Sequence, residues 1–166
     1  MKKILYLFLT VSLIFSSCAK EEGCTDSQAT NYNSDAEEED ESCTYSLVGV
    51  WNMTSTSITG IGELGDQFIE EYYFYSNGNW SAVTIPSGET AIMSFGSYTS
   101  SGSSLNITYA TTDGQSGTII TTITQINGNT MSFEALDYPE NGYTTSKSYS
   151  KSNMDLPNWN PGLFGL

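Results

Sequence analysis

From Tyr45 onward no stretch of the chain sustains a helical apolar period, and short alternating runs recur roughly every 10 to 15 residues between turns of Gly, Asn and Ser. Alternation buries one face of an extended strand, so this pattern confines the chain to an antiparallel sandwich or barrel. Eight strands are predicted, over residues 47–57, 66–75, 79–85, 90–98, 103–109, 117–126, 129–136 and 142–150. Ser76-Asn77-Gly78-Asn79 and Asn127-Gly128 carry residue types that accept the positive φ of tight hairpins. Local hairpins along the whole run favour up-and-down order, and the expected fold is all-β, an antiparallel up-and-down eight-stranded barrel.

The same alternation assigns faces. Leu105, Ile107 and Tyr109 alternate with Ser104, Asn106 and Thr108; Met131, Phe133 and Ala135 alternate with Thr130, Ser132 and Glu134; Ala91, Met93 and Phe95 share a parity. All three rows are predicted to point inward. In residues 67–75, Phe68, Tyr72 and Phe74 share a face with Glu70, while Ile69, Tyr73 and Tyr75 share the other with Glu71. One glutamate therefore sits among aromatics whichever face is inside. It either meets water at an open rim or, paired with Asp66 or Asp137, serves glycosidase-type chemistry, which needs two carboxylates about 5 to 9.5 Å apart.

Eight strands enclose either a filled interior or one small apolar ligand. In a hollow barrel Trp51, Met53, Tyr72, Phe74, Met93, Phe95, Ile107, Met131 and Phe133 would line the ligand site; in a filled one they are core. Residues 151–166 form an apolar tail without period that plugs a barrel mouth or packs as a flap.

Charge narrows the chemistry. The chain carries 5 cations, all lysine, against 19 acids, a net charge of -14, with no arginine and no histidine. No Ser-His-Asp or Cys-His dyad, imidazole zinc site or bidentate arginine clamp can be built from it. Clustered cations for phosphate are missing, which argues against nucleic acid. The expectation is a protein that binds or displays, with no catalysis and no required cofactor. The acids are concentrated: residues 19–43 hold 1 lysine and 9 of them.

Residues 1–17 have two lysines, an apolar run over 4–15 and two serines before Cys18, the order of an export signal. That run falls short of the roughly 20 residues a membrane-spanning helix needs. Ser16-Ser17-Cys18 resembles the lipobox of bacterial lipoproteins, which implies cleavage before Cys18 and acylation of its thiol. Ala19-Lys20-Glu21-Glu22 resembles the signal that sends lipoproteins of Bacteroidetes-type bacteria to the outer face of the outer membrane. The implied location is the outer membrane, lipid-anchored and surface-exposed. With Cys18 acylated, the remaining Cys24 and Cys43 invite one disulfide, a closure contributing about 3 kcal/mol.

Residues 18–45 hold the lipidated N-terminus and an acidic module. Gly23, Cys24, Thr25, Asp26, Ala29, Asn31, Tyr32, Asn33, Asp35, Ala36, Asp40, Ser42 and Cys43 match a short cysteine-bounded module of Bacteroidetes surface proteins; Glu39 and Glu41 stand where that module has Asp and Gly. Asn31, Asn33 and Asp35 place three oxygen ligands at alternate positions before the acids at 37–41, a spacing partly similar to calcium loops. The alternative is a solvated acidic spacer.

Residues 46–150 carry a second resemblance. Leu47-Val48-Gly49-Val50-Trp51, at the head of the first strand, resembles the Gly-x-Trp signature of lipocalins. Phe74 to Trp80, Gly96-Ser97-Tyr98 and Leu105-Asn106-Ile107 resemble the lipocalin-like domains of Bacteroidetes lipoproteins. The resemblance implies a tryptophan across the barrel floor and a small hydrophobic or amphipathic ligand. Many lipocalins stack an arginine over that tryptophan; here Lys147 and Lys151 are the cations near the last strand. The competing function is an adhesion or interaction module that binds glycan or protein through Tyr- and Ser-rich loops.

Overall fold

The computed structural model describes residues 20–63, 68–138 and 143–160. Its elements are all strands, and the chain divides at Tyr45/Ser46 into two compact units.

In the first unit the Cys24–Cys43 disulfide joins Cα atoms 4.8 Å apart, beside a short parallel pair of β1 (Glu22–Gly23) and β2 (Glu38–Glu39). Such a short segment buries little apolar surface, and polar side chains that bond to nearby backbone hold much of it. Asp26 accepts from the Tyr45 hydroxyl at 2.6 Å and the Gln28 amide at 2.9 Å; Glu39 accepts from both the amide and the hydroxyl of Thr25 at 2.8 Å. These donors hold both carboxyls below their usual range, Asp26 chiefly through Tyr45 and Glu39 chiefly through the Thr25 amide. Glu41, where the resembled module has glycine, adopts φ 63°, a left-handed conformation that glycine enters without a steric cost.

The second unit is a closed eight-stranded antiparallel barrel. Its strands are β3 (Gly49–Ile58), β5 (Phe68–Phe74), β6 (Asn79–Pro86), β7 (Ile92–Ser101), β8 (Ser104–Thr111), β9 (Ser116–Ile126), β10 (Thr130–Tyr138) and β11 (Tyr143–Lys151). Each pairs with the next, β11 pairs with β3, and a two-residue strand β4 (Gly62–Glu63) folds back on the end of β3. At the β5–β6 hairpin, Gly78 has φ 82° and the Asn77 side chain accepts from the Asn79 amide at 3.0 Å. At β9–β10, neither Asn127 nor Gly128 has a positive φ; the Asn127 side chain instead caps the amides of Asn129 and Thr130, at 2.8 and 2.7 Å.

The interior is built by cross-strand register. Trp51, Tyr72, Phe74, Trp80, Ala82, Leu105, Ile107, Met131, Phe133 and Tyr149 form one buried cluster with Leu47, whose carbonyl accepts from the Trp51 indole at 2.7 Å. The β8 and β10 rows point inward as expected. The β7 row does not. Trp80 pairs with Gly96 and Ala82 with Ser94, which makes Ser94, Gly96 and Tyr98 the inward residues, while Met93 and Phe95 pair with Val83 and Ser81 on the outer wall. The reason is that this stretch of outer wall is itself covered: Trp159 packs edge-on against Tyr75 with ring centres 5.2 Å apart, and Phe95 is only 7% exposed.

Candidate functional site

Two levels can be distinguished inside the barrel. At the floor, Lys151 places its ammonium 5.2 Å from the centre of the Trp51 ring, the position the resemblance assigns to a cation. Gly49 makes this possible: it has φ 142°, and a Cβ there would lie 2.9 Å from Cε of Lys151. Lys147, the other candidate, goes elsewhere.

Above the floor lies a polar shelf. Glu70 faces inward beside Tyr72 and is 5% exposed, while Glu71 lies on the other face and accepts from the Tyr73 hydroxyl at 2.7 Å. Both carboxylate oxygens of Glu70 lie 3.0 Å from Nζ of Lys147; the Tyr149 hydroxyl donates to Oε1, and the Thr84 hydroxyl reaches Oε2 at 3.5 Å. The rings beneath are close: Tyr72 and Tyr149 have centres 5.0 Å apart, and Phe133 stacks on Tyr149 at 5.3 Å. Burial pushes the Tyr149 phenol well above its usual range, with Tyr72 and Glu70 adding to it, and burial likewise raises Tyr72. Both therefore remain protonated at neutral pH, Tyr149 as a donor to Glu70.

A β-bulge completes the shelf. The β3–β11 register shifts so that Met53 opposes Tyr149 but Ser55 opposes Ser148, leaving Thr54 unpaired and turning Thr56 inward opposite Lys147. Thr56 is 2% exposed, and among the described residues its buried hydroxyl has no hydrogen-bond partner. Farther along the barrel the inward residues Ile58, Thr84, Ile92, Ser94 and Ile119 are half-buried, while Thr145, paired with Ile58, and Ala135 beside it stay buried.

The structure thus brings Trp51, Tyr72, Phe74, Ile107, Met131 and Phe133 together in the interior, with Met53 half-buried against them, and leaves Met93 and Phe95 outside. Sequence reasoning flagged Glu70 without fixing its face and missed Tyr149, Thr84 and Thr56. A usable signal was present on the last strand, where Thr145, Lys147 and Tyr149 share the parity that opposes Phe133 and Met131. Cys18, Asp66 and the side chain of Asp137 lie outside the described residues.

In the N-terminal unit the amide oxygen of Asn31 accepts from the amide and hydroxyl of Thr44 at 2.7 and 3.0 Å, and that of Asn33 accepts from the Asp35 amide at 3.0 Å. Two of the three oxygens offered for calcium thus already serve the chain's own turns. On the outer barrel wall, Tyr73, Tyr75, Val83, Met93, Pro157 and Asn158 line a cleft of about 160 Å³.

No protein-family model matches this chain, and no curated protein matches it. Among solved structures, it is similar to a redesigned β-barrel at 11% identity, over 64% of this chain and 92% of that one, with a TM-score of 0.49. It is also similar to a biogenic amine-binding protein at 15% identity, over 67% of this chain and 66% of that one, with a TM-score of 0.46. Neither likeness identifies a function for this chain.

Proposed function

We propose that this chain is a noncatalytic lipoprotein, anchored through Cys18 and displayed on the outer membrane, whose lipocalin-like barrel binds one small amphipathic molecule on the far side of the polar shelf from Trp51. The observation that carries the reading is the graded interior. A fully buried aromatic and aliphatic floor gives way to a shelf of Glu70, Lys147 and Thr56, and then to inward residues among which Ile58, Ile92 and Ile119 are half-buried. A barrel that needed only stability would continue the apolar packing, because a buried ion pair stabilises a core no better than well-packed apolar residues. The anchor rests on Ser16-Ser17-Cys18, and the absence of arginine and histidine supports binding without catalysis.

Trp51 and Trp80 sit in the floor, with Trp80 5.2 Å from the Tyr72 ring, and Trp159 sits on the outer wall. A Trp159→Phe variant therefore makes tryptophan emission report on the interior. Titration with fatty acids, retinoids and sterols is expected to shift that emission saturably, with matching heats by calorimetry; a flat response to the whole panel refutes the reading. Cys18→Ala is expected to release the protein from the membrane fraction.

The interaction-module reading has its own observation in the outer-wall cleft, where Tyr73, Tyr75, Asn158 and Asn160 combine aromatic faces with amides. Glycan binding that is abolished by Tyr73→Ala while the interior stays unresponsive would favour it.

A further inference from the structure

We infer that the barrel selects a ligand without net charge, an apolar body carrying one hydroxyl or amide head that meets the Glu70–Lys147 pair and Thr56. The inference rests on the ligand-binding reading and narrows it to a chemical class. The shelf already contains one carboxylate and one ammonium in contact, so its own charge cancels. Where water is largely excluded, adding an uncompensated third charge is strongly unfavourable. A carboxylate head would enter beside Glu70, and an ammonium head would enter beside Lys147. The two charges lie 3.0 Å apart, so a head of either sign that reaches one of them also meets the like charge of the other.

A hydroxyl or amide imports no net charge. It also supplies what Thr56 lacks, since a buried hydroxyl without a partner gains a hydrogen bond when a polar head reaches it. The body of such a ligand would lie against Ile58, Ile92 and Ile119, half-buried inward residues along the same interior.

The test uses one ring with three heads: 2-naphthol, 2-naphthoate and 2-naphthylmethylammonium, each titrated calorimetrically into the protein at neutral pH. Wild type is expected to bind the naphthol at least tenfold more tightly than either ion. Thr56→Val, nearly isosteric, is expected to weaken the naphthol about tenfold. Glu70→Gln leaves the ammonium unopposed and is expected to shift preference at least tenfold toward naphthoate; Lys147→Met is expected to shift it as far toward the ammonium. Melting curves establish that each variant is folded, and the wild-type series with Thr56→Val decides the matter should either charge variant fail to fold. Tighter binding of a charged probe to wild type, or a Thr56→Val variant indistinguishable from it, overturns the neutral-head inference and leaves the ligand reading standing. Silence from all three probes and from the lipid panel overturns both.

Discussion

Removing the lysine of the shelf isolates the interaction on which the interior depends. Lys147→Met keeps most of the side-chain length but deletes two contacts of 3.0 Å to Glu70, leaving a carboxylate that is 5% exposed with the Tyr149 and Thr84 hydroxyls beside it. Breaking a buried pair from one side typically costs about 3 to 5 kcal/mol, because the remaining charge keeps its desolvation penalty. The Tyr149 donor stays, and the 19% exposure of Lys147 lets water approach, so the low end applies, about 3 kcal/mol. In a domain of this size that lowers Tm by roughly 10 °C. Removing both charges, with Glu70→Leu added, is expected to recover most of the loss, leaving a deficit of about 1 kcal/mol for the stranded Tyr149 hydroxyl. Thermal and urea unfolding of the wild type, the two single variants and the double variant close the cycle. A Lys147→Met protein that melts within about 2 °C of wild type refutes the reasoning, since it means the pair lies in water. A double variant less stable than Lys147→Met refutes it too, since the lone carboxylate is then not the source of the loss.

Gly49→Ala is expected to cost about 2 kcal/mol in urea unfolding, because it strains a backbone at φ 142° and pushes Lys151 off Trp51. Glu41→Gly relieves the left-handed φ of 63° and is expected to slow amide hydrogen exchange in the disulfide loop about fivefold, equivalent to about 1 kcal/mol. The carboxyls of Asp26 and Glu39 titrate below their ordinary values of 3.8 and 4.5, so their contribution is present above those values and is lost as pH falls through the depressed ones. Protection against exchange in residues 24–45, taken relative to the intrinsic rate at each pH, should therefore fall below about pH 4, and Tyr45→Phe should move the onset of that fall upward. Tyr149 and Tyr72 titrate above the ordinary 10.0, so the stability they hold is intact below that value and is lost as pH rises past it. Alkaline unfolding is expected to begin above about pH 10 and to release their phenolate absorbance cooperatively; a gradual, uncoupled ionisation would contradict their burial.

The strands were legible because each carries its own signal. Alternation with Asn and Gly punctuation places all eight barrel strands within a few residues of their observed bounds, from Gly49–Ile58 to Tyr143–Lys151. The two-residue strands β1, β2 and β4 carry no such signal, since alternation needs several residues to register. Turn chemistry was half legible: Asn77-Gly78 uses the glycine's backbone freedom, whereas Asn127-Gly128 uses only the asparagine's side chain, and the same dipeptide permits both.

Faces were legible only where one side of the sheet is wet. Alternation reports which face of a strand is buried, and on β8 and β10 the buried face is the interior. On β7 the outer wall is covered as well, so Phe95 is buried from outside while Gly96 faces in, where an added Cβ would lie 2.0 Å from the Thr108 carbonyl oxygen. No single-strand pattern distinguishes these cases; the cross-strand partner does, because a residue opposite Trp80 must share its side. The same logic explains the polar shelf. Glu70 lies on the Tyr72 face, but the bulge at Thr54 changes the parity of β3 midway, so strict counting from Trp51 would send Thr56 to the outer face, away from Lys147. The residues of the polar shelf and of the outer wall are thus placed by one register shift and one covered wall, both of which arise from pairing between distant segments. The floor is the opposite case: Gly49, Trp51 and Lys151 come together because the first strand closes on the last, so the local Gly-x-Trp spacing signalled a nonlocal contact without an arginine to mark its other half.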